Sequence, residues 1–245
     1  MKKILLPASV FCLALFSASF RDVKAGASKP AAEFKNSVST TGSLSTSEAV
    51  AEELYDSLSL DEIGLDKEAL VYAIKGQQAL AANGQLSNPD VLTVCDFSQP
   101  STSKRMYILD LKHFKVLMNT YVAHGRNSGL IYAENFSNKM ESLQSSLGFY
   151  VTKQTYSGKH GLSLKLSGRD RGFNDNAEAR SVVVHGAEYI GDGRASSAYM
   201  GRSFGCPAVP QQLASKVINT IKNGTCLFIY HPSQRYLHGS SILNG

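Results

Sequence analysis

The sequence of 245 residues predicts an α+β fold that is mainly β. Three observations carry this prediction. Apolar residues between Ser45 and Gly84 recur at helical spacing. From Val91 onward the chain changes to short runs rich in β-branched and aromatic residues, separated by turn residues. After Pro210 one stretch, "QQLASKVINTIKNG", returns to helical spacing and ends on Gly224, a pattern suited to a single late helix.

The elements follow in order. Met1-Lys2-Lys3 precedes an apolar run from Ile4 to Phe20, and small residues follow it. A basic head, a short apolar segment and small-x-small sites is the layout of a secretory signal peptide over 1–27, with cleavage after Ala25 or Ala27. The run contains Pro7 and is at or below the span of a bilayer core, and the alternative reading is an uncleaved N-terminal membrane anchor. Residues 28–44 are polar and read as a flexible linker. Residues 45–90 form a helical N-terminal segment. Ser45 with Glu48 fits a capping box, and Val50, Leu54 and Leu58 follow at four-residue spacing. A second helix runs through "DKEALVYAIKGQQALAANG", with Asn83-Gly84 as its C-terminal cap. Strands are expected in "VLTVCDFS", "RMYILDL", "FKVLMNTYVAHG", "GFYVTKQTY", "LSLKLSG", "RSVVVHGAEY" and finally "TCLFIYHP". No linker-like break interrupts this span, so residues 91–235 are expected to form one domain, with Pro210 at the first position of its helix.

Charge excludes one class of partner. The formal net charge is +5, but four of the 25 basic and one of the 20 acidic residues fall within residues 1–25. The remainder carries only +2. Nucleic-acid binding would need a concentrated basic face, which the sequence lacks.

The segment "GRSFGCPAVP", Gly201 to Pro210, is where chemistry is expected. Cys95 and Cys226 sit inside apolar runs, as core cysteines do. Cys206 instead sits among small and turn-forming residues. Gly205 permits a positive φ or a close backbone approach, and Pro207 biases Cys206 toward an extended conformation. A disulfide, a metal site, a core role and a nucleophile all remain open for it. Nucleophilic chemistry needs a base, because the thiolate is the reactive form. His185, at the end of the run "SVVVHG", is the candidate. Pro207 has no N–H, so oxyanion donors would have to be the N–H groups of Cys206, Gly205 or Phe204. His124, His160, His185 and His238 each precede a glycine. A zinc reading rests on that count alone, since no ligand-like spacing is present.

These residues resemble a known family. His185-Gly186, then Ser203-Phe204-Gly205-Cys206, resembles the signature of the L,D-transpeptidase (YkuD-type) catalytic domain. "VAHGRNSG", "FSN", "SSLGFY", "TYSGKHGLSL", "FNDNAEAR" and "GRSFGCPAVP" are similar to its murein L,D-transpeptidase branch. The resemblance covers roughly residues 50 to 235. It implies a YkuD-like β-sandwich or barrel and cysteine acyl transfer on peptidoglycan stem peptides, with no cofactor. Cys206 would be the nucleophile, His185 the base and then acid, and the Gly186 carbonyl the group that orients the histidine ring. The carbonyl at stem position three would be attacked, the terminal D-alanine would leave, and a second stem would give a 3→3 crosslink. Water as acceptor would make an L,D-carboxypeptidase instead. The sequence departs from the family at Phe204, where histidine is usual, and at Ala208, where Arg or Asn is usual. A non-catalytic envelope protein on the same fold is the reading those departures motivate. Arg202 then becomes the candidate for the substrate carboxylate, or is a solvated arginine. His124 and His160 either line the cleft or cap turns. An exported protein of the periplasm or cell envelope is implied, with no nucleic-acid partner and no membrane span after signal cleavage. A Cys95–Cys226 disulfide would leave Cys206 as the odd thiol.

Overall fold

The computed structural model describes residues 46–245. The expected signal peptide, its cleavage site, the linker and the Ser45 cap lie outside the described residues. Helix α1 spans Thr46–Ser57 and α2 spans Lys67–Ala82. The Asp66 carboxylate accepts the Ala69 N–H at 2.9 Å and so caps the start of α2. Gly84, at φ +65°, follows its end as expected. The buried faces of both helices join one hydrophobic cluster with the strands, through Leu54, Leu70, Ile74 and Leu80 on the helical side. Gly76 sets how closely α2 lies on the sheet. A Cβ there would come within 2.0 Å of the Phe149 ring. That ring in turn stacks on Phe228 at a centroid distance of 4.1 Å.

Among the described residues eight strands form one sheet. They are β1 (Val91–Asp96), β2 (Met106–Asp110), β3 (Lys115–Thr120), β4 (Gly148–Gly158), β5 (Gly161–Gly168), β6 (Val183–Ala187), β7 (Ala208–Pro210) and β8 (Cys226–Tyr230). Their order is β3-β2-β1-β8-β4-β5-β6-β7. The β1/β8 and β6/β7 pairs are parallel, and the others are antiparallel. An isolated bridge from Ala123 to Ala208 ties the chain just after β3 to β7 at the opposite edge. The sheet therefore nearly closes into a barrel, which removes most of its free edge. The fold is α+β and mainly β.

Several boundaries differ from expectation. Regular β3 ends at Thr120 rather than continuing to Gly125. Pro210 belongs to β7, and a 3-10 turn at Gln211–Leu213 precedes α3 (Ala214–Ile221). Proline is tolerated there because β7 needs no ladder N–H from it. The chain also continues past β8 into α4 (Gln234–Gly239) and α5 (Ser241–Asn244). A buried Asp170 carboxylate holds this end, accepting from Tyr236 Oη at 3.1 Å, the Phe149 N–H at 2.7 Å, and the Ser240 hydroxyl. Among the described residues no helix is long and apolar enough to cross a membrane.

The Cys95–Cys226 disulfide does not form, and all three described cysteines are free. The parallel register shows why. Leu92 faces Cys226 while Cys95 faces Ile229, three positions along the strand. At about 3.3 Å per residue the two Cα atoms stand roughly 10 Å apart, beyond the reach of a disulfide. Burial pushes the Cys95 thiol up to about 12 and the Cys226 thiol up as well, so both are inert core groups.

Candidate active site

The site is built on the parallel pair β6/β7. His185 faces Ala208 in that register. Continuing it backward sets Cys206 beside Val183, and the Val183 N–H lies 3.5 Å from the Cys206 sulfur. Val183 and His185 are two residues apart on one strand, so their side chains leave the same face. The thiol and the imidazole are thus neighbours, offset by about 6.6 Å along the sheet. They share no hydrogen bond in this structure. The thiol points instead to the Ser181 carbonyl, 3.7 Å away.

His185 is buried, and its Nδ1 lies 2.8 Å from the Gly186 carbonyl. A carbonyl only accepts, so Nδ1 carries the proton and Nε2 is left as the basic nitrogen. The His160 ring, from the β4–β5 turn, stacks on His185 at 4.3 Å. Burial lowers the His185 pKa, His160 lowers it further, and the Gly186 bond opposes both. Burial raises the Cys206 pKa, against the Val183 N–H and the nearby Arg180 cation. The resting pair is therefore a neutral thiol beside a neutral imidazole, not an ion pair. Gly186 has no room for a side chain: a Cβ would meet Gln211 at 2.5 Å and Ala214 at 2.8 Å.

The turn carrying the thiol is stapled by Ser203. Its hydroxyl donates to the Cys206 carbonyl at 2.6 Å and accepts the Gly205 N–H at 3.0 Å. The Gly205 N–H, one of three expected oxyanion donors, is therefore committed within the turn. Those of Phe204 and Cys206 make no hydrogen bond among the described residues. Gly205 sits at φ +123°, and a Cβ there would lie 2.8 Å from the Gln144 carbonyl. Arg180 fixes the wall behind the turn. It donates to Gln144 O and Ser137 O, each at 2.7 Å, and to the Ser142 and Ser146 hydroxyls.

The remaining expected residues separate. His124 is fully buried. Arg105 donates to its Nδ1 at 2.8 Å, and its Nε2 lies 3.3 Å from Gly129 O. Burial and the Arg105 charge hold its pKa at about 4. His124 is thus a spacer beneath the site and offers no atom to a ligand. Arg202 spends Nη1 on the Arg126 and Gly129 carbonyls at 2.9 and 3.2 Å, and lies over Tyr199. Phe204 is 70% exposed. A groove of about 450 Å³ is lined by Tyr156, Lys165, Leu166, Glu178 and Ser181–Val183, and two of these residues touch the thiol through the Ser181 carbonyl and the Val183 N–H. Sequence pattern alone does not mark Arg180 or Ser181. The only signal for them was their place at the end of "FNDNAEAR" and the start of β6's approach. Among the described residues no three His, Cys, Asp or Glu side chains group as metal ligands.

The fold and the site together define a β-rich catalytic domain with a thiol and an imidazole on neighbouring strands at one end of a nearly closed sheet. The model of the L,D-transpeptidase catalytic domain (YkuD type) matches residues 61–230, and the chain belongs to this family. Among solved structures it is similar to an L,D-transpeptidase from Mycobacterium smegmatis, at 13% identity over 58% of this chain and 59% of that one, with TM-score 0.37. It is similar to one from Mycobacterium tuberculosis H37Rv, at 14% identity over 58% of each chain, with TM-score 0.38. A third, from Stackebrandtia nassauensis, matches at 13% identity over 77% of this chain and 92% of that one, with TM-score 0.34. The chain spans under two thirds of the length of the first two. No curated protein matches it.

Proposed function

We propose that this chain is an exported murein L,D-transpeptidase acting through an acyl-enzyme on Cys206. The observation that carries the reading is the Ser203-stapled turn. It holds Cys206 one strand away from His185, whose tautomer Gly186 fixes. In the resting structure the thiol points to the Ser181 carbonyl, and catalytic contacts of this kind often form or tighten only with substrate.

In the reaction, His185 Nε2 takes the thiol proton as sulfur attacks the carbonyl carbon at stem position three. The C–N bond to the terminal D-alanine breaks, and the same imidazole returns the proton to the leaving amine. The developing oxyanion is met by the N–H groups of Cys206 and Phe204. An amine of a second stem then attacks the thioester. Its proton passes to His185, the C–S bond breaks as the imidazolium returns that proton to the Cys206 sulfur, and a 3→3 crosslink results. Export to the periplasm or cell envelope rests on the signal-like residues 1–27.

The test is incubation of purified protein with tetrapeptide muropeptides, followed by a digest. Wild type is expected to give 3→3 dimers and free D-alanine, and Cys206→Ala neither. Tripeptide without dimers in the presence of an acceptor stem would replace crosslinking by L,D-carboxypeptidase hydrolysis. Unchanged product with Cys206→Ala, or none with either protein, would overturn enzymatic action through this thiol.

A further inference from the structure

The β4–β5 turn carries a second histidine onto the candidate base. Gly158 and Gly161 face each other at the end of the hairpin, so Lys159 and His160 form a two-residue turn. Gly161, at φ +72°, lets the chain reverse that tightly. In the adjoining ladder Ser163, three residues further along, faces His185. The two histidine rings meet face to face, with 4.3 Å between centroids and 23° between planes.

This stack is the contact that places the His160 ring. Its side chain makes no hydrogen bond among the described residues, so it does not cap its own turn. His160 is exposed, whereas His185 is 4% exposed. The outer ring therefore stands between the base and solvent. His185 itself is held by one bond, from Nδ1–H to the Gly186 carbonyl at 2.8 Å. A carbonyl accepts over a broad range of directions. That bond fixes the tautomer but leaves the imidazole free to tilt about it, and a ring packed on its face removes the freedom. Displacing a reacting group by about 1 Å can cost on the order of a hundredfold in rate, so the tilt matters to proton transfer.

We infer that His160 is a positioning residue for the reaction: stacked on His185, it holds that imidazole with Nδ1 on the Gly186 carbonyl and Nε2 free to take the thiol proton. The inference rests on the proposed function for the reaction it serves. A second effect comes from charge. Burial disfavours a proton on His185, and the charge of His160 disfavours it further, because two stacked imidazoles that both carry a proton repel. The other titratable groups on the elements packed against β6 are Lys165 on β5 and Lys216 on α3, with Lys159 in the turn and Cys206 just before β7. Of all these, His160 is the one whose charge acts on His185.

The test compares the full chain as wild type, as His160→Ala, which removes ring and charge, and as His160→Phe, which keeps a ring and removes the charge. One readout is stopped-flow acylation by a carbapenem across pH. The other is the titration of the His185 ring followed by NMR. On the plateau above the acid limb, His160→Ala is expected to acylate about tenfold more slowly than wild type, and His160→Phe to recover most of that loss. The acid limb and the His185 titration should both move to higher pH in the two variants, since the repulsion that opposes the proton is gone. A residue that only shapes the turn would move neither. A wild-type plateau in His160→Ala, a plateau in His160→Phe as low as in His160→Ala, or a His185 titration unmoved in both would overturn the inference. A wild-type protein that is not acylated would overturn the proposed thiol chemistry instead. The NMR titration needs no acylation, so in that case a shifted His185 titration supports the hold of His160 on the ring and an unshifted one refutes it.

Discussion

Replacing Ser203 by alanine should loosen the turn that presents the thiol. Ser203 is nearly fully buried, so water cannot take over its bonds. The substitution removes a short O–H···O bond to the Cys206 carbonyl and strands the Gly205 N–H. Each such bond contributes about 1 kcal/mol net, so the loss is about 2 kcal/mol. For a chain of this size that corresponds to a fall in Tm of about 4–8 °C. The functional effect is larger than the stability effect implies. Displacing a reacting atom by about 1 Å can cost on the order of a hundredfold in rate, and Gly205 at φ +123° has no other side-chain bond holding its N–H. Thermal unfolding followed by circular dichroism gives the first number, and stopped-flow acylation by a carbapenem gives the second. A Ser203→Ala protein with the wild-type Tm and acylation rate would refute the role of this hydroxyl as the staple of the turn.

Two further outcomes follow from the packing and the charges. Gly76→Ala drives a methyl into the Phe149 ring; overpacking of this kind should cost about 1–3 kcal/mol, only partly offset by better helix propensity, and urea unfolding would read it. His124 has a folded pKa of about 4 against 6.5 in an exposed histidine. The unfolded chain therefore binds more protons between those values, and stability is full above about 6.5 and falls as pH drops toward 4. The ceiling on that loss is about 3 kcal/mol. His124→Gln should flatten the slope in this window, and an unchanged slope in pH-dependent unfolding would assign it to other groups.

The sequence made the helical segment, the strands and the Cys206 turn legible because each follows from local spacing or turn chemistry. His185 was legible for the same reason, as a histidine closing an apolar run. What it did not show depends on register and closure. The parallel β1/β8 pairing that separates Cys95 from Cys226 is a long-range choice with no local mark. Strand β7 is three residues long and includes a proline, so no periodicity could reveal it. His124 reads like His185 on paper, each followed by glycine. Only the barrel's closure buries one against Arg105 and sets the other beside the thiol. Arg180 is an ordinary surface residue by composition. Its surroundings come from loops that meet only in the folded chain.

The central claim is that Cys206 becomes acylated by a stem peptide, and intact-protein mass spectrometry with peptide mapping tests it most directly. Brief incubation with a tetrapeptide stem and rapid acid quench should show a mass gain equal to the acyl chain minus D-alanine, mapped to the peptide containing Cys206 and missing in Cys206→Ala and His185→Ala. Release of D-alanine with no adduct on Cys206, or the same adduct in the Cys206→Ala protein, would contradict the account.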